Sequence, residues 1–424
     1  MLPSPFQFPT PFHSEASLPI SSSLPRNSGF ASHFRLPSVA AAGGADLLGY
    51  DLSPGYQPRA RTYSHSSGLR GVSPRPHHHS NSSSNINVRG VSPARHPRFK
   101  FFVGASWAAK PGNTDHTYPP NTPIGAWVLD TLRRHTFSSR RAKEPGEDFF
   151  FVQSLPYDAG TAVGIADGVG GWSDQGVDSA VFSQALMYYA SKVYNGEIVT
   201  EAVLKGSSSR SRPKPKDVLK SAYDVTMTDS FVKAGSATTC LINFDPQTGM
   251  MYATNIGDTG FIIIRSGSII YQSRAQFHGF NYPKCVAVIS MIFVHLSVFF
   301  YRQLLKNATS SRRSRNNSSD SPRDAESYEV QLREKDIIIA YTDGLVDNVY
   351  PEEILEICSV VLQEHRHDHD RPQIMSDRIV DYARQCMRSK TLLTPFERQA
   401  IKQGVAHKGG KIDDVTVVVT MVER

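Results

Sequence analysis

Three aspartates stand where their chemistry could be used. Asp167, Asp343 and Asp413 each abut an apolar, strand-like run, and Asp167 and Asp343 are each followed at once by glycine. Glu147 and Asp148 make a fourth acidic point directly before the apolar run 149–152. A carboxylate at a strand end is held by the sheet, and the following glycine lets the chain turn sharply. A single Asp-Gly pair is most often only a turn; Asp258, in Ile256-Gly257-Asp258-Thr259-Gly260, reads as a residue that shapes a hairpin. Several rigid carboxylates with no His or Cys among them suit a hard, oxygen-seeking cation, Mg²⁺ or Mn²⁺. Two such ions about 3.5–4 Å apart can share a water, lower its pKa and clamp a phosphoryl group for in-line attack. The four cysteines, Cys240, Cys285, Cys358 and Cys386, include no CxxC pair, which excludes a disulfide scaffold or zinc ribbon and suits a reducing compartment. None lies in a glycine-rich loop followed by Arg, so no phospho-cysteine intermediate is expected.

The elements that would hold these acids follow from periodicity. Residues 162–166 form a short β-type run ending in Asp167-Gly168-Val169-Gly170-Gly171-Trp172. Asp178 is placed to cap a helix through about Tyr194, with Val181, Phe182, Ala185, Leu186 and Tyr189 on one face and Gly196 as its stop. A second helix is predicted over 217–231. The period then changes to 2: strands are predicted over 236–244, 250–256, 261–265, 268–271 and 336–341, and a closing strand over 415–422. Helices are predicted over 351–364 and 372–387. Strand clusters flanked by paired helices indicate an α+β layered domain rather than alternating βαβ units.

The formal charge of +7 has an address. Residues 1–100 hold ten basic and three acidic side chains, and the remainder of the chain is balanced. The same stretch carries 13 prolines and 19 serines, too few apolar groups to offset ordering entropy. Residues 1–98 therefore read as a disordered Ser/Pro/Arg-rich leader ahead of a domain at 99–424, and no nucleic-acid partner is expected. The leader contains a short repeat, RGVSPRPH from Arg70 and RGVSPARHP from Arg89, and a solvated His77-His78-His79 triplet. Its poverty in acids and wealth of Ser and Arg match an organelle transit peptide, mitochondrial or plastid, although Pro3, Pro5, Pro9 and Pro11 forbid an amphipathic helix at the start.

Six blocks, in order, carry a resemblance: Gly146-Glu147-Asp148; Gly164 through Trp172 (GIADGVGGW); Gly235-Ser236-Ala237-Thr238; Asn255-Ile256-Gly257-Asp258; Tyr341 through Asn348 (YTDGLVDN); and Gly410 through Thr416 (GKIDDVT). Over about residues 100–280 and 322–424 the chain resembles metal-dependent protein serine/threonine phosphatases of type 2C. The GVGGW variant is most similar to the mitochondrial-type subfamily. The resemblance implies a four-layer αββα sandwich with two Mg²⁺ or Mn²⁺ ions at one end, phosphoprotein substrates, a mitochondrial address and a chain acting as a monomer. It implies that Asp167 bridges both metals with the Gly168 carbonyl on the second, that Asp343 and Asp413 complete the first, and that Glu147 reaches the second through water beside Asp148. Asp414 stands where many relatives have Asn. Relatives often place a phosphate-binding Arg four residues before the Glu; here that position is Lys143, a point charge rather than a fork.

The pattern breaks at about 285–320. The run 285–301 contains no charged residue and is followed by a basic Ser/Asn-rich stretch. As a helix its 17 residues would span about 25 Å, short of the roughly 30 Å hydrocarbon core. A membrane helix, a buried or interfacial amphiphile and translated non-coding sequence all remain open, and membrane contact is expected only through this run. Two further function classes stand beside the phosphatase: a catalytically impaired phosphatase-like adaptor, and a membrane-tethered interaction protein.

Overall fold

The computed structural model describes residues 99–112, 118–136, 145–201, 203, 213–289, 320–365 and 367–424. The predicted leader, Lys143 and residues 290–319 lie outside the described residues. In chain order the strands begin with β1 (Lys100–Ala108), β2 (Asp148–Leu155), β3 (Gly160–Gly168), β4 (Ala234–Phe244), β5 (Met250–Ile256), β6 (Gly260–Arg265) and β7 (Ser268–Gln272). They continue with β8 (Phe277–Gly279), β9 (Tyr282–Pro283), β10 (Val286–Ile289), β11 (Glu326–Gln331), β12 (Ile337–Tyr341) and β13 (Val415–Glu423). The helices are α1 (Pro123–His135), α2 (Ser179–Tyr194), α3 (Pro215–Thr226), α4 (Asp343–Val346), α5 (Pro351–Glu364), α6 (Arg371–Arg388) and α7 (Pro395–Lys402).

Two antiparallel sheets face each other. One runs β1-β13-β12-β6-β7; the other runs β11-β5-β4-β3-β2, with β10 added on β4. The period-2 pattern of β12 decides the layering. Ile337, Ile339 and Tyr341 pack with Ile354, Cys358, Met375 and Ile379 of α5 and α6. Ile338 and Ala340 point the other way, into a core shared with Ile165 and Cys240 of the opposite sheet. Phe182, Leu186 and Leu219 bring α2 and α3 onto that sheet's outer face. The result is the four-layer αββα sandwich that the resemblance implied.

Local signals explain the boundaries. Asp178 accepts the Ala180 N–H at 3.0 Å, and Gly196, with φ +73°, closes α2 as expected. The second predicted helix stops five residues early, at Thr226. Asp229 explains the stop: its Oδ1 takes the Phe231 N–H at 2.8 Å, an Asx turn that competes with helix, while Oδ2 receives the hydroxyls of Tyr118 and Tyr189 at 3.1 and 2.8 Å.

The break in the pattern begins later than residue 285. Val286–Ile289 pairs with Ala234–Ala237 in antiparallel register, and Val286 is fully buried. Its β-branched side chain completes the core beside Ala237, so the first part of the apolar run is a sheet strand rather than the start of a membrane helix. Among the described residues no helix is long and apolar enough to cross a membrane.

Candidate metal centre

Strand register brings the first acids together. Asp148 at the start of β2 lies directly across from Asp167 near the end of β3. Asp148 is fully buried; its Oδ2 accepts the Thr342 hydroxyl at 2.9 Å, while its Oδ1 has no hydrogen-bond partner among the described residues. Thr342 ties the second strand group to the first: its hydroxyl accepts the Thr416 N–H at 2.9 Å as it donates to Asp148. Asp343 follows on the first turn of α4, and Asp413 lies two residues before the start of β13. The same end of the sandwich therefore carries Asp148, Asp167, Asp343 and Asp413, with Glu147 and Gly168 beside them.

Asp414 fixes this arrangement from beneath. Its two carboxylate oxygens accept the backbone N–H groups of Lys110 at 2.7 Å and Glu147 at 2.9 Å. The Gly168 N–H donates to the Glu147 carbonyl at 3.1 Å, which also receives the Ser183 hydroxyl at 2.6 Å. Gly146 is required by this packing: at φ +73°, its added Cβ would come within 2.1 Å of Asp414 Oδ1. Gly344 is required too, because its Cβ would meet the Asp414 carbonyl at 2.0 Å. The GVGGW turn is pinned by the Trp172 indole N–H, which donates to Ser236 Oγ at 2.8 Å.

The centre holds more negative charge than it can carry unaided. Burial, then the charges of Asp343, Asp148, Asp413 and Asp258, pushes the Asp167 carboxyl well above the usual range. Burial, then Asp414, does the same to Asp148, against the hydrogen bond from Thr342. Asp413 is pushed up to about 6 by burial and Asp343, with Lys411 and Lys110 opposing, and Asp347 to about 7 by burial and Asp343, with Lys411 opposing. Asp258 is raised by burial, then by Asp343 and Asp347, and its Oδ1 is buried without a partner among the described residues. It therefore belongs to the acidic centre as well as to its turn.

Two lysines supply the positive charge. The Lys411 ammonium lies 2.6 Å from Asp343, 2.7 Å from Asp347 and 3.1 Å from Asp413. Lys110 contacts Glu147 and lies 3.6 Å from Asp414 and 3.8 Å from Asp413. Among the described residues no three carboxylates stand at direct metal-ligand spacing; the ammonium groups lie between them. The donor set fits hard divalent ions on two observations: it is all oxygen, and two buried carboxylate oxygens, on Asp148 and Asp258, lack a partner among the described residues. No thiol competes for the chemistry, since burial pushes Cys358 up to about 12 and Cys386 to about 11.

Sequence reasoning placed Asp167, Asp343, Asp413, Glu147, Asp148 and Gly168, and the fold gathers all six; Lys143 lies outside the described residues. It missed the parts played by Lys411, Lys110, Asp347 and Asp258. Lys411 and Asp347 sit inside quoted motifs and carried a signal, being two and four residues from Asp413 and Asp343. Lys110 carried none.

No family model matches the chain. Over 280 residues it is 31% identical to Protein phosphatase 2C homolog 7, mitochondrial, of Saccharomyces cerevisiae, a match that covers 66% of this chain and 74% of that protein. The chain belongs to the protein phosphatase 2C family. By family it is thus a protein phosphatase. A second relative, "Probable protein phosphatase 2C 80" of Arabidopsis thaliana, is 32% identical over 306 residues; the match spans 72% of this phosphatase but 61% of the Arabidopsis protein. Among solved structures, the photosystem II phosphatase PBCP shares the fold, with a TM-score of 0.50 and 22% identity over 76% of this chain and 98% of that one.

Proposed function

We propose that this phosphatase releases phosphate from phosphoserine and phosphothreonine in proteins, with Asp167, the Gly168 carbonyl, Asp343 and Asp413 holding two Mg²⁺ or Mn²⁺ ions and Glu147 and Asp148 supporting the second. The observation that carries the reading is the convergence of mutually destabilising carboxylates on one end of the sandwich, each set by backbone register or a glycine-enforced contact. When bound, the ions supply a water of lowered pKa and neutralise the phosphoryl oxygens. The chain's own residues do the positioning. Thr342 holds Asp148 against the Asp167 strand, Asp414 holds the backbone of Glu147, and Lys110 restrains the Glu147 carboxylate. Lys143 supplies the cation on the phosphate side, four residues before Glu147.

Three further points complete the reading. The leader at 1–98 directs the protein to mitochondria, supported by its composition and by the mitochondrial name of the yeast relative. The catalytic domain occupies 99–424, interrupted by a segment that begins after Ile289 rather than at Cys285. The monomer suffices for catalysis, since every acid of the centre comes from one chain. Phosphate release from a phosphothreonine peptide, assayed on metal-stripped protein with and without Mn²⁺, tests the proposal. Turnover must depend on Mn²⁺ and vanish in Asp167→Asn; metal-independent release, or phosphopeptide binding without release, would refute it.

A further inference from the structure

We propose that Lys411 is a tethered counter-ion of the acidic centre: in the metal-free protein its ammonium occupies the place between Asp343 and Asp413 that a divalent ion must take, and it thereby sets the affinity of the centre for metal. The inference rests on reading that centre as a metal site.

The geometry is specific. An ammonium has three N–H donors and no acceptor, and here three carboxylates, those of Asp343, Asp347 and Asp413, surround it at 2.6–3.1 Å. It engages Oδ2 of both Asp343 and Asp413, two of the oxygens that an incoming cation needs. The lysine side chain is 16% exposed, so the pair is poorly screened.

Displacement can occur without moving the carboxylates. Buried Asn348 grips Lys411 by both backbone groups, accepting its N–H at 2.9 Å and donating to its carbonyl at 3.0 Å. The same amide donates to the Gly344 carbonyl at 2.9 Å, on the turn that carries Asp343. The main chain at 411 is thus locked to the Asp343 turn, and only the four-carbon stem is left to swing. The buried Phe396 ring, whose centroid is 5.2 Å from the ammonium, already flanks it and gives the swinging stem an aromatic face to stay against. Lys110 is built differently: its closest contact is Glu147, it reaches Asp413 only at 3.8 Å, and it is more exposed.

A centre occupied by its own lysine for 90–99% of the time has its apparent metal affinity reduced about 10- to 100-fold. Calorimetric titration of MnCl₂ into the metal-stripped full chain, wild type against Lys411→Met, reads this directly. Met keeps the apolar stem and removes the charge. The variant should bind Mn²⁺ about 10-fold tighter or more, and its melting temperature should fall only in the metal-free form. Equal or weaker Mn²⁺ binding by the variant, with binding by the wild type, would overturn the inference and leave the metal centre standing. A wild type that binds no Mn²⁺ would overturn both. Should Lys411→Met not fold without metal, the wild type labelled with ¹³C at lysine Cε answers the question. The Lys411 signal, assigned through Lys411→Arg, should move along the Mg²⁺ binding curve, and a stationary signal would refute the displacement.

Discussion

Asp414 holds the backbone N–H of Glu147 at 2.9 Å across 267 residues of chain. The link joins the start of β13 to the start of β2, and so couples the two sheets at the mouth of the centre. The second oxygen of the same carboxylate holds the Lys110 N–H at 2.7 Å. Asn in this place keeps one acceptor and turns an NH₂ toward the other N–H. Asp414→Asn should therefore cost about 1–2 kcal/mol and Asp414→Ala about 2–4 kcal/mol. Urea unfolding of the metal-free protein measures both, and a neutral Asp414→Ala would show that the link carries no stability.

Loss of one charge from the acid set should show in metal binding before anything else. Asp343→Asn and Asp413→Asn are expected to weaken Mn²⁺ and to lower turnover about 100-fold or more, with near-native circular dichroism. Asp167→Asn should be the most damaging of the three, as the residue proposed to touch both ions. Wild-type turnover in any of them would remove that residue from the ligand set.

The metal-free protein should lose stability as pH rises from about 4 toward 7. Asp413 titrates at about 6 and Asp347 at about 7, both above the value near 3.9 of an unfolded Asp. The folded state therefore keeps protons that the unfolded state releases, so this contribution is full below pH 4 and gone above the folded pKa values. Divalent metal competes with the same protons. The rise in melting temperature on adding Mg²⁺ should be larger at pH 8 than at pH 5.5; the reverse order would contradict the assignment of these carboxylates.

Where the intervening segment is cut should matter. Cys285 donates its N–H to Asp320 at 3.2 Å, so the two flanks lie together, and about four residues of strand separate that point from Ile289. Replacing residues 290–319 with a polar linker of about eight residues, enough to return some 13 Å, should keep activity. Replacing 285–320 removes β10 and the buried Val286 and should cost about 2–4 kcal/mol. Equal stability of the two deletions would mean that β10 is dispensable.

Removal of residues 1–98 should leave turnover on a phosphopeptide unchanged. The cut must spare Phe99, which donates its N–H to the Pro246 carbonyl at 2.9 Å and packs beside Gly249. A large fall in turnover at equal folded content would assign the leader a part in catalysis.

Much of this centre was legible because strand ends and Asp-Gly turns write themselves into sequence. The runs ending at Asp167 and Asp343 alternate or stay apolar, and their glycines mark the turns. β13 was equally plain, a Val-rich stretch behind Asp413. What could not be read was convergence. Asp258 looks like any hairpin residue until β6 sets it against Asp343, and Lys110 has no local pattern at all because its role comes from an acid 304 residues away. β10 was hidden for a different reason: Val286–Ile289 opens a longer apolar run, and the hydrophobicity of a buried strand cannot be told from that of a helix by composition. α3 overran because propensity ignores Asp229, whose two tyrosine partners lie far along the chain.

β1 and β13 pair over their full lengths, Lys100 against Glu423 through Ala108 against Val415, and β13 lies between β1 and β12. During synthesis, then, the first strand of the domain and the Ile-rich β12 must each wait for β13, which is made after both, and that segment arrives with Asp413 and Asp414 at its head. A nascent chain that ends short of it has two open strand edges, a template for aggregation, and lacks a proposed metal ligand together with the link to Glu147. Prematurely terminated products should be clients for degradation rather than weak phosphatases, and activity should emerge only once residues 413–423 have cleared the ribosome.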